Sequence, residues 1–485
     1  MPATPTPTPP TPPTILWLRR DLRLGDHPGW ELALAAGGPV IPVFILDPLT
    51  ETATGAASLW RLGLSLDDLG RRLSARGSRL VLRRGDALDV LRALVAETGA
   101  RRVVWSRLYD ARARERDSAV KSALREAGIE AASANAALMH EPWQVETAQG
   151  GFFRVYTPFW RAVRDREVAA PLPEPGDLAP PAAWPASEAL ADWHLARAMN
   201  RGAEVVARFV GVGEAAARDR LDGFIADRIG AYKAERDRPD IEATSRLSEN
   251  LAFGEISPRT IWHAGLAAMQ RLGGRAEAGA EHFLKELVWR EFAYHLLFHT
   301  PQIETRNWRA DWDGFPWRPD NPDAERWRRG MTGIPMVDAG MREMYVTGTM
   351  HNRARMLVAS FLTKHLLTDW RVGEAWFRDC LIDWDPASNA MGWQWVAGSG
   401  PDAAPYFRIF NPDLQATRFD PDGRYADRFI AEGRARPHAD ALAFFEAVPR
   451  RWRMSPAQAY PAPVVALEEG RARALAAFGS RHTDS

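Results

Sequence analysis

The chain has 485 residues, 46% of them apolar, and balances 62 Lys and Arg against 62 Asp and Glu. That length predicts two domains rather than one. The zero net charge excludes a chain-wide electrostatic grip on nucleic acid, the single cysteine excludes an internal disulfide or cysteine-cluster metal site, and no apolar run reaches the ~18 residues that cross a bilayer.

Residues 1–13 (MPATPTPTPPTPP) lack the basic and apolar regions of a secretory signal and predict a disordered Pro/Thr tail on a cytoplasmic protein. Across residues 14–137, short apolar runs alternate with amphipathic segments. Ile15–Leu18, Val40–Leu46, Arg79–Arg83 and Arg102–Trp105 read as buried strands, and Ser58–Ala75 and Ala87–Thr98 as helices. Such alternation predicts an α/β fold, a doubly wound parallel sheet. No GxGxxG follows the first strand, and Gly85-Asp86 reads as a plain turn. The pattern lapses over residues 138–199, where PLPEPGDLAPPAAWP (Pro171–Pro185) predicts a long surface linker.

Residues 200–478 read as a large all-α domain, with 479–485 as a short tail. Ser257 and Pro258 mark a helix start and Gly273-Gly274 its end. Further helices are expected over Glu281–His299, stopped by Pro301, over Gly340–Gly348 and over Met350–Thr368. Cys380, at helical spacing among apolar residues, is expected to be a buried, unreactive thiol.

Chemistry concentrates in three places. TSRLS (Thr244–Ser248) sets three hydroxyls and backbone N–H groups before a helix, which suits a phosphate, although N-capping is the commoner use of such hydroxyls. In HFLKELVWREF, Phe283, Glu286, Trp289 and Arg290 share one helix face. A carboxylate and a guanidinium within an aromatic stripe suggest a cleft wall, while Glu286 and Arg290 at i, i+4 could form a solvated ion pair.

From Met350 to Trp395 a polar set, Asn352, Arg355, Asp383, Asp385 and Asn389, lies among apolar residues and the tryptophans at 370, 376, 384, 393 and 395. Buried amides and ions cost free energy unless satisfied, so this density predicts a polar, planar partner. Asp383 and Asp385 lack further ligands at metal spacing, so no metal is expected. No Ser/His/Asp or Cys/His nucleophile arrangement is visible.

The order Tyr232…Arg236…TSRLS…ELVWREF…MHNRARM…DWDPASN…GWQWVAGSGPDAAPYFRIFNP, with WLRRDLRLGDHP near the start, resembles the photolyase/cryptochrome family from Thr14 to about Phe478. The resemblance implies an α/β antenna domain, a linker and a helical domain holding FAD. Tyr232, Thr244, Ser245, Leu247 and Ser248 would hold its phosphates and ribityl chain, with Phe283 in place of a tryptophan of some relatives. Asn352, Arg355, Asp383 and Asp385 would surround flavin and adenine, and Asn389 would face flavin N5. Arg355 and Asn389 would supply the cation and hydrogen-bond donors that a reduced anionic flavin needs.

Within the family, Asn389 is similar to the repair enzymes, since signalling cryptochromes often carry Asp or Cys there. Asn352 and Met356 stand where (6-4) photoproduct enzymes have histidines. Glu286, Trp289, Met356 and Trp395 match residues that cradle a cyclobutane pyrimidine dimer. The resemblance therefore implies a monomeric enzyme that splits dimers in DNA by light-driven electron transfer from reduced FAD to a flipped-out lesion. Arg236, Arg290, Arg353 and Arg408 would grip flanking phosphates. Trp393, Trp370 and Trp317 would form the electron-transfer chain from flavin to surface, whereas Trp376 and Trp384 are expected in the core. A second, antenna chromophore is also implied. Arg112 and Ala113 replace the Asn-Glu pair common in folate binders, which counts against folate and leaves a deazaflavin, another flavin or no antenna open. The rival readings are a blue-light receptor that binds FAD without repair and a nicotinamide-dependent flavin oxidoreductase, the latter disfavoured by the missing dinucleotide fingerprint.

Overall fold

The computed structural model describes residues 11–402 and 407–480. Residues 1–10 of the expected N-terminal tail and 481–485 at the other end lie outside the described residues. Five strands, β1 (Thr14–Leu18), β2 (Val40–Leu46), β3 (Val81–Arg84), β4 (Arg102–Ser106) and β5 (Glu130–Ala134), form one sheet in the order β3-β2-β1-β4-β5. All pairings are parallel, with Ile15 opposite Ile41 and Val103.

Helices cover both faces, which is why the central strands read as unbroken apolar runs. Leu16, Leu18, Phe44 and Val104 pack with Trp30 and with Leu62, Leu66 and Leu69 of the Ala56–Ser74 helix. Ile15, Trp17, Val43 and Trp105, pointing the other way, pack with Leu91, Leu94, Val120 and Leu124. The fifth strand was not expected. Its sequence, EAASA, carries three alanines and no β-branched residue, so edge pairing with β4 rather than local propensity places it.

The 138–199 segment is more structured than its composition predicts. It contains a helix, Tyr156–Val163, that buries Tyr156, Phe159, Trp160 and Val163. Its N-cap residue, Val155, has no side chain that can cap it, and Pro158 interrupts its reading as a periodic element. Farther on, Leu82 N–H donates to Ser187 Oγ (2.9 Å) and Glu188 N–H to Leu82 O (2.9 Å), so this stretch covers the open edge of β3.

The remainder is helical. Ser257 caps Pro258–Leu272 as expected, accepting from Thr260 N–H (3.0 Å). The next helix begins at Gly274, before the expected Glu281, and runs to His299. Pro335–Thr347 ends on Gly348, whose φ of 73° suits glycine. The expected Met350–Thr368 helix is broken. Its α-helical part is Asn352–Ser360, a π-helical turn follows over Phe361–His365, and Leu366 N–H closes back on Phe361 O (3.0 Å). No helix of the described residues is long and apolar enough to cross a membrane.

The sheet's loop after β1 reaches into the helical part. Leu22 N–H donates to Phe253 O (3.0 Å), and Arg20 donates to Ala252 O (2.8 Å) and Trp384 O (3.0 Å). Gly254, at φ 66°, lies so close to this loop that a Cβ would stand 2.1 Å from Arg20 O.

Candidate functional site

The helices enclose a cavity of about 860 Å³, which falls in the upper part of the roughly 300–1,000 Å³ typical of ligand sites. Its walls bring together nearly all the residues that the sequence singled out. Tyr232, Arg236 and Thr244–Ser248 line it, as do Glu286, Trp289 and Arg290. So do Asn352, Arg355, Met356, Asp383, Asp385, Asn389, Trp393, Trp395 and Arg408. Phe283 borders an adjoining recess that shares Tyr232, Ser248 and Asp383 with the main cavity.

Each side chain is placed by its own element. His351 caps the Asn352–Ser360 helix by accepting from Arg353 N–H (3.2 Å), which aims Asn352, Arg355 and Met356 from its first turns. Asp385 caps Pro386–Ala397, accepting from Ser388 N–H (2.8 Å), with Pro386 at the first helical position. Its second oxygen accepts from the Tyr294 hydroxyl (2.5 Å), and Arg20 stands at 4.0 Å. Burial alone would raise the Asp385 carboxyl, but Arg20, Arg290 and Tyr294 together hold it below the usual range. Both of its oxygens are thus engaged within the protein.

Asp383 differs. One oxygen accepts from Arg355 (2.6 Å), and the other is buried without a partner. The buried Nε1 groups of Trp384 and Trp393 and the Nε2 of His351 also lack partners. Buried polar atoms are seldom left unpaired, so this wall is built for a ligand that both donates and accepts. Trp384 and Trp376 both pack against the helical core as expected; Trp384 also lines the cavity, whereas Trp376 lies against Tyr345 and Trp452.

Asn389 turns its amide nitrogen away from the cavity, to Glu374 Oε1 (2.9 Å) and Glu374 O (3.3 Å). Its carbonyl oxygen is left for the occupant, so Asn389 offers an acceptor rather than the expected donor. Burial raises the Glu374 carboxyl, against the pull of Arg378 and Asn389.

The hydroxyls of Thr244, Ser245 and Ser248 are not spent on capping. Leu247 occupies the cap of the five-residue helix Ser248–Ala252, without a side-chain hydrogen bond. Arg246 sits at φ 54°, and Arg220 donates to its carbonyl (3.1 Å), so guanidinium groups flank the hydroxyls.

Glu286 pairs with Arg236 and lies 3.7 Å from His282 rather than pairing with Arg290. Arg290 instead donates to Ala137 O (2.7 Å) beneath the Tyr294 ring, with its side chain 13% exposed. Arg353 pairs with Asp237 (2.5 Å) over Phe419, 14% exposed. Arg236, paired with Glu286, is buried to the same degree at 12% exposed, and of these four arginines Arg408 alone is exposed.

Trp393 is buried against Phe377 and Trp327. Gly373 makes this packing feasible, since a Cβ there would stand 2.0 Å from the indole. Trp370 is fully buried and donates to Asn307 (3.0 Å), while Trp317 is half-buried against Trp312 and Phe315. All three belong to one cluster of packed apolar side chains. The lone thiol, Cys380, is half-buried; burial raises its pKa well above the ordinary value, consistent with an unreactive role.

At the carboxyl end of the sheet, where strand order reverses between β1 and β4, Arg19 pairs with Asp117 (3.0 Å) and Arg116 with Asp47 and Asp117. Arg19 and Arg116 both lie over the Trp17 ring. Ion pairs within the protein therefore line this crevice.

Sequence reasoning missed Arg20, Tyr294, Glu374, His351 and Trp384. The last stood within the DWDP motif, so its polar neighbours were a usable signal. His351 likewise stood beside Asn352 in the MHNRARM motif, whereas Arg20, Tyr294 and Glu374 are joined to the cavity by tertiary contacts.

Comparison with known proteins agrees with this architecture. The family model for the DNA photolyase domain matches residues 14–176, and that for the FAD binding domain of DNA photolyase matches 283–480. The chain is 47% identical to the deoxyribodipyrimidine photo-lyase of Agrobacterium fabrum, over 97% of this chain and 98% of that protein. It is 34% identical to cryptochrome-1 of Arabidopsis thaliana, over 95% of this chain and 69% of that protein. Among solved structures, a class III photolyase from Agrobacterium tumefaciens superimposes with a TM-score of 0.90 at 45% identity, covering 99% of this chain and all of that one. The chain belongs to the DNA photolyase family.

Proposed function

We propose that the chain is a deoxyribodipyrimidine photo-lyase, a light-driven DNA repair enzyme that splits cyclobutane pyrimidine dimers. The observation that carries this reading is one cavity that joins unpaired polar atoms around Asp383, Trp384 and Trp393 to a wall of Trp289, Trp395, Met356 and Glu286. The first set suits FAD and the second a flat, damaged dinucleotide.

Asp383 would accept from the flavin ring, Arg355 would balance its charge, and the Asn389 carbonyl would meet a ring N–H. Tyr232, Thr244, Ser245, Leu247 and Ser248, with Arg220, would hold the phosphates and ribityl chain. Asn352 and Phe283 would close the pocket around the adenine and flavin. Reduced FAD held by these residues would supply the light-driven electron transfer that dimer splitting needs.

Glu286 would hydrogen-bond the pyrimidines, already oriented by Arg236, while Trp289 and Trp395 give apolar walls that exclude water. Flipping a dimer costs less than flipping intact bases because it stacks poorly. Arg236, Arg290, Arg353 and Arg408 would hold flanking phosphates, Arg408 being the exposed member of the set. Trp393, Trp370 and Trp317 would carry electrons between the cavity and the surface. We place this activity in the cytoplasm, in a monomer that needs no metal ion, with residues 14–137 and 200–478 as its two domains.

The test is illumination of the reduced protein with dimer-containing DNA. Light-dependent loss of dimers is expected. A light-dependent flavin spectral change without dimer loss would overturn the reading in favour of a blue-light receptor.

A further inference from the structure

Trp289 is half-buried, and its indole is stacked on one side by another ring. Tyr156 stacks on it with ring centroids 3.6 Å apart and planes 7° from parallel. Tyr156 lies outside the helical region, in the short helix Tyr156–Val163 that precedes the linker prolines. Its hydroxyl donates to Lys285 O (2.7 Å), the carbonyl one turn before Trp289 on the same helix. The phenol therefore spans the turn that carries Trp289 and fixes its indole from behind.

The second tryptophan of the cavity wall, Trp395, has its own anchor: its Nε1 donates to Asp402 O (3.1 Å). Both tryptophans are thus held from within the protein. Binding is tighter when such walls are fixed before the ligand arrives, because no ordering cost remains.

We propose that Tyr156 is a positioning residue for lesion recognition, holding Trp289 as a preformed wall. This rests on the proposed dimer-splitting function and adds a residue from outside the helical region to it. Tyr156 touches neither cofactor nor lesion in this scheme; it acts through Trp289.

The experiment compares wild type with Tyr156→Ala, Tyr156→Leu and Tyr156→Phe as FAD-loaded enzymes, measuring affinity for dimer-containing and undamaged oligonucleotides and the splitting yield per photon at saturating DNA. Tyr156→Ala should weaken binding of damaged DNA about tenfold, the scale of one lost aromatic pair. Binding of undamaged DNA, splitting yield and Trp393-dependent photoreduction should stay within twofold. Tyr156→Phe, which keeps the stack, should behave like wild type. Tyr156→Leu fills the space without a ring and should resemble Tyr156→Ala; it carries the test if the alanine variant fails to load FAD. A retained preference for damaged DNA in Tyr156→Leu, or an equal loss in Tyr156→Phe, would overturn the proposal. If wild type itself shows no preference for damaged DNA, the functional reading fails instead.

Discussion

Replacing Arg355 by Met isolates an ion pair, Arg355–Asp383, whose two members both line the cavity. Asp383 is 1% exposed and Arg355 26%, and they meet at 2.6 Å. Removing one partner of a buried pair costs about 3–5 kcal/mol, because the other charge is stranded. With a quarter of the guanidinium exposed, water screens part of this interaction, and about 2–3 kcal/mol remains. In the apoprotein, water entering the cavity can solvate the stranded carboxylate. FAD excludes that water, so the cost should fall on cofactor binding. At 1.4 kcal/mol per factor of ten, Arg355→Met should weaken FAD retention by about 30- to 150-fold. Flavin fluorescence on release, followed by titration of the apoprotein, reads this directly. The double variant Arg355→Met/Asp383→Asn, in which no charge is stranded, should recover at least part of the loss. A change under threefold in the single variant, or a double variant no better than the single, would refute the stranded-charge argument.

Trp393→Phe should abolish light-driven reduction of oxidised flavin while sparing dimer splitting by chemically reduced protein; equal photoreduction would remove Trp393 from the electron route. Asn389→Asp sets a carboxylate against Glu374 and should change the flavin reduction potential and its pH dependence, measured by spectroelectrochemistry; unchanged behaviour would show that Asn389 does not meet the ring. Arg408→Ala should weaken damaged and undamaged DNA alike and reduce the salt slope of log Kd by about 0.9; a loss confined to damaged DNA would place Arg408 at the lesion instead. Glu291 accepts from Met139 N–H (2.9 Å) with one oxygen unpartnered, and burial lifts its carboxyl to about 7 despite Arg290 and these backbone donors. A carboxyl raised above its unfolded value of about 4.3 favours the folded state at low pH and loses that stability as pH rises toward 7. Glu291→Gln should therefore gain relative to wild type between pH 5 and pH 8 in thermal unfolding, and a constant difference would contradict the assignment.

The strands and the long helices were legible because their signals are local: unbroken apolar runs for β1, β2 and β4, and Ser257-Pro258 with Gly273 for a helix. What escaped depends on distant partners. β5 is alanine-rich and is held by β4, Tyr156–Val163 is held by the Gly274–His299 helix, and the turn at Phe361–His365 differs from α-helix only in which carbonyl its N–H groups reach. At the site, residue identity announced Asn352, Arg355, Asp383 and Asn389 but not their orientations. Asn389 was expected to donate and instead presents an acceptor, because Glu374 takes its amide hydrogens. Arginine side chains are equally silent in sequence about direction, and Arg290 and Arg353 turn inward.

The contact between Gly254 and the Arg20 loop bears on engineering. With a Cβ at 254 only 2.1 Å from Arg20 O, and Arg20 itself reaching Trp384 O and Asp385, the two halves meet backbone to backbone beside the cavity. They are therefore not interchangeable modules. A chimera that imports a foreign sheet domain must import a loop that fits Gly254 and an arginine that reaches Asp385. A helical fragment expressed alone would lose one of the cations that keep Asp385 ionised.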